Sequence, residues 1–576
     1  MKNKEKTFLK GALVLAFANL IVKIIGAVFK IPLYELIGKE GSGLFNVAYQ
    51  IYTFMFIIAT AGFPIAVSKM VAESVARNDE YDAKRVFETA QILLGMIGLA
   101  GSVVLYAFSD SLANMLGNPD AALSIRVISP AVFFVSLVSA YRGYFQGMQN
   151  MYPTAVSEVI EAGAKLGIGI VGAMLFMNMT VNSGLGELVL FSSKEVISSH
   201  VKTQFAASGA IFGVTVGTFL SLFLMIVIYG AKRKRTFPRE SCVVRRRRSI
   251  MKELVLIAIP ITIGASVSSL TSLVDLATIM NRLVVNPDVF EQYAFLFAEG
   301  TEFAQNAAAE GWQGITLLEK QANSLYGMYT GQAQTMFNLP LSIIVALSMS
   351  IVPAISTAVV GGSAKEGKTI TESVLRITML FAMPCAIGLS VLSKPILGLL
   401  YSDADAFLLL QKLAIAVVFV SVVSVSNAIL QAYGHVYYPV VNMLIGGVLK
   451  VSMNYFFIPV WGIDGAPIAT NVCYAVIAIL NIICIVRLIK IKISIKDMLL
   501  KPLAAAIIMG AVAVSSYDLF SNIIGGSRIS TIAAIALAGL AYIVIVLLIR
   551  GFKREDIMNM PKGEKIASIL TKYKLL

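Results

Sequence analysis

Charge is scarce in this chain. Only 14% of its 576 residues are Asp, Glu, Lys or Arg, and 57% are hydrophobic. The mean hydropathy is +0.80. This excludes an ordinary water-soluble globule, in which about a quarter of the residues are charged. Cysteine is scarcer still, with Cys242, Cys385, Cys473 and Cys484 as the full set. Three of them lie in apolar runs and none pair at C-x-x-C spacing, which argues against a disulfide framework or a zinc site. The two histidines, His200 and His435, fall in predicted loops without evident metal partners. The G-x-S-x-G and H-E-x-x-H patterns are absent, so no hydrolase or metalloprotease is indicated. The chain reads as a non-enzyme without a cofactor. Any transport then runs on a coupling cation (Na+ or H+), the membrane potential or a substrate gradient.

Long apolar runs are what the chain has in abundance. About 20 apolar residues cross a bilayer. Runs of that length fall at roughly 9–37, 43–66, 86–108, 122–141, 154–178, 206–230, 253–281, 325–356, 373–397, 406–430, 440–459, 464–486, 502–518 and 527–549. The expected fold is therefore an all-α polytopic membrane protein with 14 transmembrane helices. Pro32, Pro260 and Pro340 are expected to split three of them. The charged start MKNKEKTFLK leads into an apolar run with no small-residue cleavage site, so it reads as the first span rather than a signal peptide.

Basic residues concentrate in alternate segments. Ten lie in 231–252 and seven after residue 549, against one lysine and six acids in 283–324. By the positive-inside rule this places both termini in the cytoplasm. KRKR at 232–235 and RRRR at 245–248 could mark a nucleic-acid patch. A topology anchor touching anionic lipid headgroups accounts for them without one.

One stretch occurs twice. VFFVSLVSAYRGYFQG at 132–147 and VVFVSVVSVSNAILQA at 417–432 share seven of sixteen positions at an offset of 285 residues. Six predicted spans separate the copies, so both point the same way, as in transporters with parallel halves. Each copy is followed by a Tyr-Pro pair (Tyr152-Pro153, Tyr438-Pro439) that opens the next helix. The segments SGAIFGVTVG (208–217) and DGAPIATNVC (464–473) offer small-residue faces for close helix contact. The expected organisation is an N-terminal six-helix lobe (1–230), a basic linker (231–252) and a second six-helix lobe (253–490) with an outer loop at 283–324. Two unpaired helices (491–550) and a cytoplasmic amphipathic tail (551–576) complete the chain. The outer segments 179–204 and 283–324 are both long, and the second reads as an acidic solvated cap.

Charge inside a span is expensive and usually faces a cavity or a partner. Lys23 and Lys30 lie two turns apart on one face of the first span. Glu158, Glu161 and Lys165 share one stripe of the fifth, with Glu161 and Lys165 at ion-pair spacing. The seventh span carries Asp275 and Arg282, and the eleventh Asn442, Lys450 and Asn454. Lysines suit a mobile anion such as a phosphate or diphosphate. Lys23, Lys30, Arg142 and Lys450 are the candidate substrate contacts. Asp275, Glu158 and Glu161 are the candidates for ion or proton coupling. Snorkelling accounts equally for Lys30 and Arg282, and a structural ion pair for Glu161.

Several segments carry a resemblance: Lys23 to Gly38, GSGLFNVAYQIY (41–52), AGFPIAVSKMVAE (61–73), YRGYFQGMQNMYPTAVSEVIE (141–161), LYGMYTGQAQTMFNLP (325–340), MSIVPAIS (349–356) and WGIDGAPIATNVCY (461–474). Together they resemble the polysaccharide biosynthesis branch of the multidrug/oligosaccharidyl-lipid/polysaccharide flippase superfamily. The nearest group is that of stage V sporulation protein B, which includes lipid II flippases of the MurJ type. The resemblance implies a rocking flippase for an undecaprenyl-diphosphate-linked sugar in a bacterial plasma membrane, serving peptidoglycan synthesis and cell shape. A central cavity would hold the diphosphate, and the last two helices would form a groove for the prenyl tail. Its partners would be the lipid-linked oligosaccharide, membrane lipids and cell-wall synthesis proteins, with no nucleic acid. Two rivals remain at this stage. A cation-coupled multidrug exporter of the same superfamily would use Asp275 and Glu158 as its ion site. A membrane glycosyltransferase would need the acids of 283–324.

Overall fold

Gly38 turns the first long helix back on itself. In the computed structural model, α1 (Lys2–Thr60) is interrupted at Gly38, whose φ of 66° and ψ of −169° belong to a region open essentially to glycine alone. Lys30 Nζ then reaches Asn46 Oδ1 at 3.3 Å, and the rings of Phe29 and Phe45 meet at 5.7 Å. A continuous helix would separate residues sixteen apart by about 24 Å. The chain therefore makes a helical hairpin here. Pro32 lies inside its first arm without breaking it.

The structure describes residues 2–178, 198–232, 245–360, 364–491, 494–526 and 528–551. Among them every regular element is helical. Among the described residues ten helices are long and apolar enough to cross a membrane, or eleven if a bent pair counts as one span. Large apolar side chains such as Phe17, Val103, Phe223, Leu256, Val448 and Leu540 are exposed on them, as expected where lipid rather than water is the solvent. The amphipathic tail and most of the segment 179–204 lie outside the described residues.

The described chain divides into two compact units, Met1–Gly331 and Gln332–Leu576. The first holds α1, α2 (Phe63–Ala76), α3 (Glu80–Ala107), α4 (Ser109–Met115), α5 (Ala122–Gly147), α6 (Tyr152–Met177), α7 (Ser199–Lys232), α8 (Arg247–Leu283), α9 (Glu302–Glu310) and α10 (Gly314–Met328). Its core gathers Val67, Met70, Phe87, Leu94, Phe145, Leu222 and Leu254 from five of these helices. α6 and α7 approach closely through glycines. A Cβ on Gly213 would lie 2.4 Å from the Gly169 nitrogen, and one on Gly209 2.7 Å from the Gly172 oxygen. This is the small-residue face expected at 208–217.

The second unit holds α11 (Gln334–Val360), α12 (Ala364–Val391), α13 (Ser393–Leu400), α14 (Phe407–Ala414), α15 (Ala416–Ala432), α16 (Tyr437–Trp461), α17 (Gly465–Ile489), α18 (Lys501–Ile524) and α19 (Arg528–Leu548). α18 and α19 pack on α12, and Tyr542 donates a hydrogen bond to the Leu380 carbonyl at 2.7 Å. The sequence repeat falls on α5 and α15. It extends to hydrogen bonding: Ser136 Oγ donates to the Val132 carbonyl at 2.7 Å and Ser421 Oγ to the Val417 carbonyl at 2.5 Å.

Two sequence expectations are corrected here. The segment 283–324 is not an open loop. It contains a 3-10 turn (Pro287–Leu296), α9 and most of α10, and its aromatic rings pack on one another, Phe297 against Phe303 at 4.8 Å and Phe303 against Trp312 at 5.5 Å. Composition concealed this, because the acids Asp288, Glu291, Glu299, Glu302 and Glu310 are all on the exposed side. α10 also begins eleven residues before the predicted span at 325. It is pressed backbone to backbone on the second arm of α1, where a Cβ on Gly327 would lie 1.8 Å from the Lys39 carbonyl oxygen and 2.6 Å from the Gly43 nitrogen. Gly327→Ala should therefore destabilise the protein by about 3 kcal/mol, because backbone cannot yield as a side chain can. A thermal unfolding midpoint equal to the parent's would refute that contact.

The basic run 245–248 is partly structural. Arg245 grips Asp82 with two hydrogen bonds, Nε to Oδ1 at 2.9 Å and Nη2 to Oδ2 at 2.5 Å, and reaches Glu253 at 3.1 Å. Ser74 donates a further bond to Asp82 at 2.6 Å. Residues 233–244 lie outside the described set.

Candidate functional site

In unit 1 the hairpin of α1 faces α5 and α6, and the charged residues of the spans converge there. Arg142 on α5 is buried. Its Nη2 donates to Glu161 Oε2 at 2.9 Å and lies 3.4 Å from Ser221 Oγ on α7. Its Nε is 3.3 Å from Ser157 Oγ, and its Nη1 is 4.0 Å from Glu158 Oε1. One guanidinium thus serves two carboxylates from successive positions of the same α6 stripe. Glu158 Oε2 and the Tyr52 hydroxyl are buried nearby with no hydrogen-bond partner.

Glu161 was expected to pair with Lys165, one turn along. It pairs with Arg142 instead. The planar fork of arginine, with five donors in fixed geometry, reaches both acids at once. Lys165 lies over the Tyr49 ring at 3.9 Å and the Phe29 ring at 5.0 Å. Tyr49 in turn stacks on Phe45 at 5.5 Å. An ammonium on an aromatic face keeps its charge available to a further ligand. Lys30, beside Phe29 in sequence, points to the neutral Asn46, whose own amide is held by the Ser42 carbonyl at 2.7 Å. Lys23 is half-buried on the same arm of α1.

The structure therefore brings Arg142, Glu158 and Glu161 together as one cluster, seats Lys165 on the Tyr49 and Phe29 rings and sets Lys30 against Asn46. Asp275 is buried on α8. Lys450 is buried in unit 2, on α16 with Asn442 and Asn454. Sequence reasoning passed over Tyr49, Tyr52 and Asn46. The signal for them was available: they recur at i, i+3 and i+6 on a span that carries no charge after residue 40.

The second copy of the repeat holds a neutral counterpart. Asn427 takes the place of Arg142 and accepts from Asn481 Nδ2 at 2.8 Å. Asn481 also bonds to Ser426 at 2.9 Å and accepts from Asn442 at 2.8 Å. Unit 2 further contains an apolar cavity of about 760 Å³, lined by Met379, Ile387, Phe419, Ile479 and Met498 among others. Among the described residues no group of His, Cys, Asp and Glu is placed to hold a metal ion.

An all-helical membrane protein with buried ion pairs inside its spans and a duplicated helix in its two units belongs to the class of polytopic transporters. Within that class, the chain belongs to the polysaccharide biosynthesis protein family, which it matches over residues 8–359. Residues 321–534 also match the family described as lipid II flippase MurJ. Stage V sporulation protein B of Bacillus subtilis (strain 168) is 25% identical over 97% of this chain and 98% of its own length. Lipid II flippase MurJ of the same strain is 26% identical over 83% and 82%. Among solved structures, lipid II flippase MurJ in an inward closed conformation superposes with a TM-score of 0.64 at 14% identity, covering 93% of this chain and 98% of that one. An inward-facing multidrug resistance MATE family transporter superposes with a TM-score of 0.60 at 14% identity, covering 83% and 98%. These superpositions establish a fold of the MurJ and MATE type.

Proposed function

We propose that this protein is a flippase that carries an undecaprenyl-diphosphate-linked sugar, the lipid II peptidoglycan precursor, from the inner to the outer leaflet by alternating access. The observation that carries the reading is the pairing of Lys30 and Lys165 with neutral partners, an amide oxygen and aromatic faces. Cations kept without a countercharge inside a span suit a mobile anion such as a diphosphate. The apolar cavity of unit 2 supports it, since a prenyl chain needs a surface from which water is absent. In this reading the chain crosses the plasma membrane fourteen times with both termini cytoplasmic. Residues 1–230 and 253–490 form two six-span lobes, and the last two helices guide the tail. Lys23, Lys30, Arg142 and Lys450 contact the diphosphate and headgroup. Asp275, Glu158 and Glu161 couple transport to an ion gradient or to the membrane potential.

Depleting cells of their lipid II flippase and expressing this protein should restore growth and the appearance of lipid II at the outer leaflet. Asp275→Asn should lower transport and flatten its response to membrane potential. Failure of the parent protein to expose lipid II sinks the substrate assignment, and an unaltered voltage response removes Asp275 from coupling. The unpartnered oxygen of Glu158 favours a second reading, a cation-coupled exporter of organic cations. Proton- or sodium-dependent efflux of a cationic dye from vesicles would establish that one instead.

A further inference from the structure

A second charged cluster lies in unit 1 at the end that carries Gly38, away from Arg142. His200 sits in the first turn of α7, not in a loop as its sequence context suggested, and is buried. Its Nδ1 hydrogen-bonds to the Glu40 carboxylate just past the break in α1. Its Nε2 is 3.7 Å from Asp120 Oδ2 in the 3-10 turn Pro119–Ala121. The same nitrogen is 3.2 Å from Lys320 Nζ on α10 and 2.9 Å from Gln204 Nε2 on α7. Lys320 is itself ion-paired with Asp120 and lies 5.0 Å over the Trp312 ring. Trp312 meets His200 edge-on at 4.9 Å. Next to this group, Asn118 donates to Asn323 at 2.6 Å, tying α10 to the same turn.

The charged groups that face His200 are Glu40 from α1, Asp120 from the 3-10 turn and Lys320 from α10. Glu302 of α9 accepts from the neighbouring Ser199 at 2.6 Å. Lys202 and Glu319 flank the cluster in sequence. A proton on Nε2 and the ammonium of Lys320 compete for one place. At 3.2 Å two positive donors would face each other before the single acceptor Asp120.

We propose that this cluster is a proton-binding site in which Lys320 is a tethered competitor. While α10 is seated, the ammonium caps Nε2 and holds Asp120. When α10 withdraws, a proton from the adjoining solution bonds to Nε2 and takes the ammonium's place beside Asp120. One positive charge leaves the site and one enters, so the net charge beside the two carboxylates is the same in both states. Such a movement parts α10 from the second arm of α1, and its pivot is the π turn (Tyr329–Ala333) through which α10 runs directly into α11 of unit 2. π turns inside helices are common at functional sites. The withdrawn form holds the proton more tightly, so falling pH favours withdrawal. The ratio of withdrawn to seated forms changes up to about tenfold per pH unit, between the two protonation points of His200. In the orientation proposed above, the solution that supplies the proton is the one outside the cell.

Two tryptophans make the site readable, since the chain contains only Trp312 and Trp461. In full-length protein carrying Trp461→Phe in lipid vesicles, Trp312 emission reports its neighbour, because an imidazolium quenches an adjacent indole and neutral imidazole does so far less. Titration from about pH 5 to about pH 10 should give a one-proton transition. Lys320→Met should move its midpoint up by at least about one pH unit, a tenfold gain in proton affinity. Lys320→Arg should leave it near the parent value, and His200→Gln should abolish it. An absent transition, or a Lys320→Met midpoint that is unshifted or lower, overturns the proposal. Should His200→Gln not accumulate in the membrane, the contrast between the methionine and arginine variants decides the question alone.

Discussion

Arg142→Leu should destabilise the protein by about 3–5 kcal/mol, the usual cost of removing one partner from a buried ion pair. Arg142 is the common partner of Glu161 at 2.9 Å and Glu158 at 4.0 Å, and its side chain is only 7% exposed. Without it two carboxylates face each other inside a span, and Glu158 already has one oxygen without a hydrogen bond. The check is the thermal unfolding midpoint of purified protein in detergent. The same argument predicts a rescue. Arg142→Leu combined with Glu158→Gln and Glu161→Leu removes all three charges and should recover most of the lost stability, while transport stays absent. If Arg142→Leu melts with the parent, the cluster has no structural role. If the triple variant transports normally, it has no functional one.

Lys30 should behave in the opposite way. Its polar partner among the described residues is the neutral Asn46 at 3.3 Å, so the fold gains little from the charge and bears its desolvation. Lys30→Gln should leave the melting midpoint unchanged or higher. A charge-assisted hydrogen bond to phosphate is worth about 1.5–3 kcal/mol, so transport should fall about ten- to a hundredfold. Lys23→Ala should also block complementation, with membrane expression intact. Full transport by both variants removes the first arm of α1 from substrate binding. A folding defect in Lys30→Gln would instead assign that lysine to the scaffold. The opposed stability signatures of Arg142 and Lys30 separate a charge the fold needs from one it does not within one site.

Much of this was legible in the residues. Scarce charge and long apolar runs determine an all-helical membrane protein, because a backbone in lipid must satisfy its own hydrogen bonds. The repeat pointed to α5 and α15, and its one charged mismatch, Arg142 against Asn427, marked the place where unit 1 holds an ion cluster and unit 2 an asparagine network. The stripe Glu158, Glu161 and Lys165 follows from helical spacing alone.

Other features depended on contacts between distant segments. Periodicity along one helix put Lys165 within reach of Glu161, but only the packing of α5 on α6 brought in Arg142, whose fork reaches both acids. The same limit hid His200. Its partners Glu40, Asp120 and Lys320 lie 160, 80 and 120 residues away in sequence, so no local pattern could join them. Local sequence determined which residues are helical and which charges enter the membrane, because those are properties of single segments against their solvent. Tertiary structure decided which charges neutralise each other and which stay available to a ligand, because that depends on which helix stands opposite.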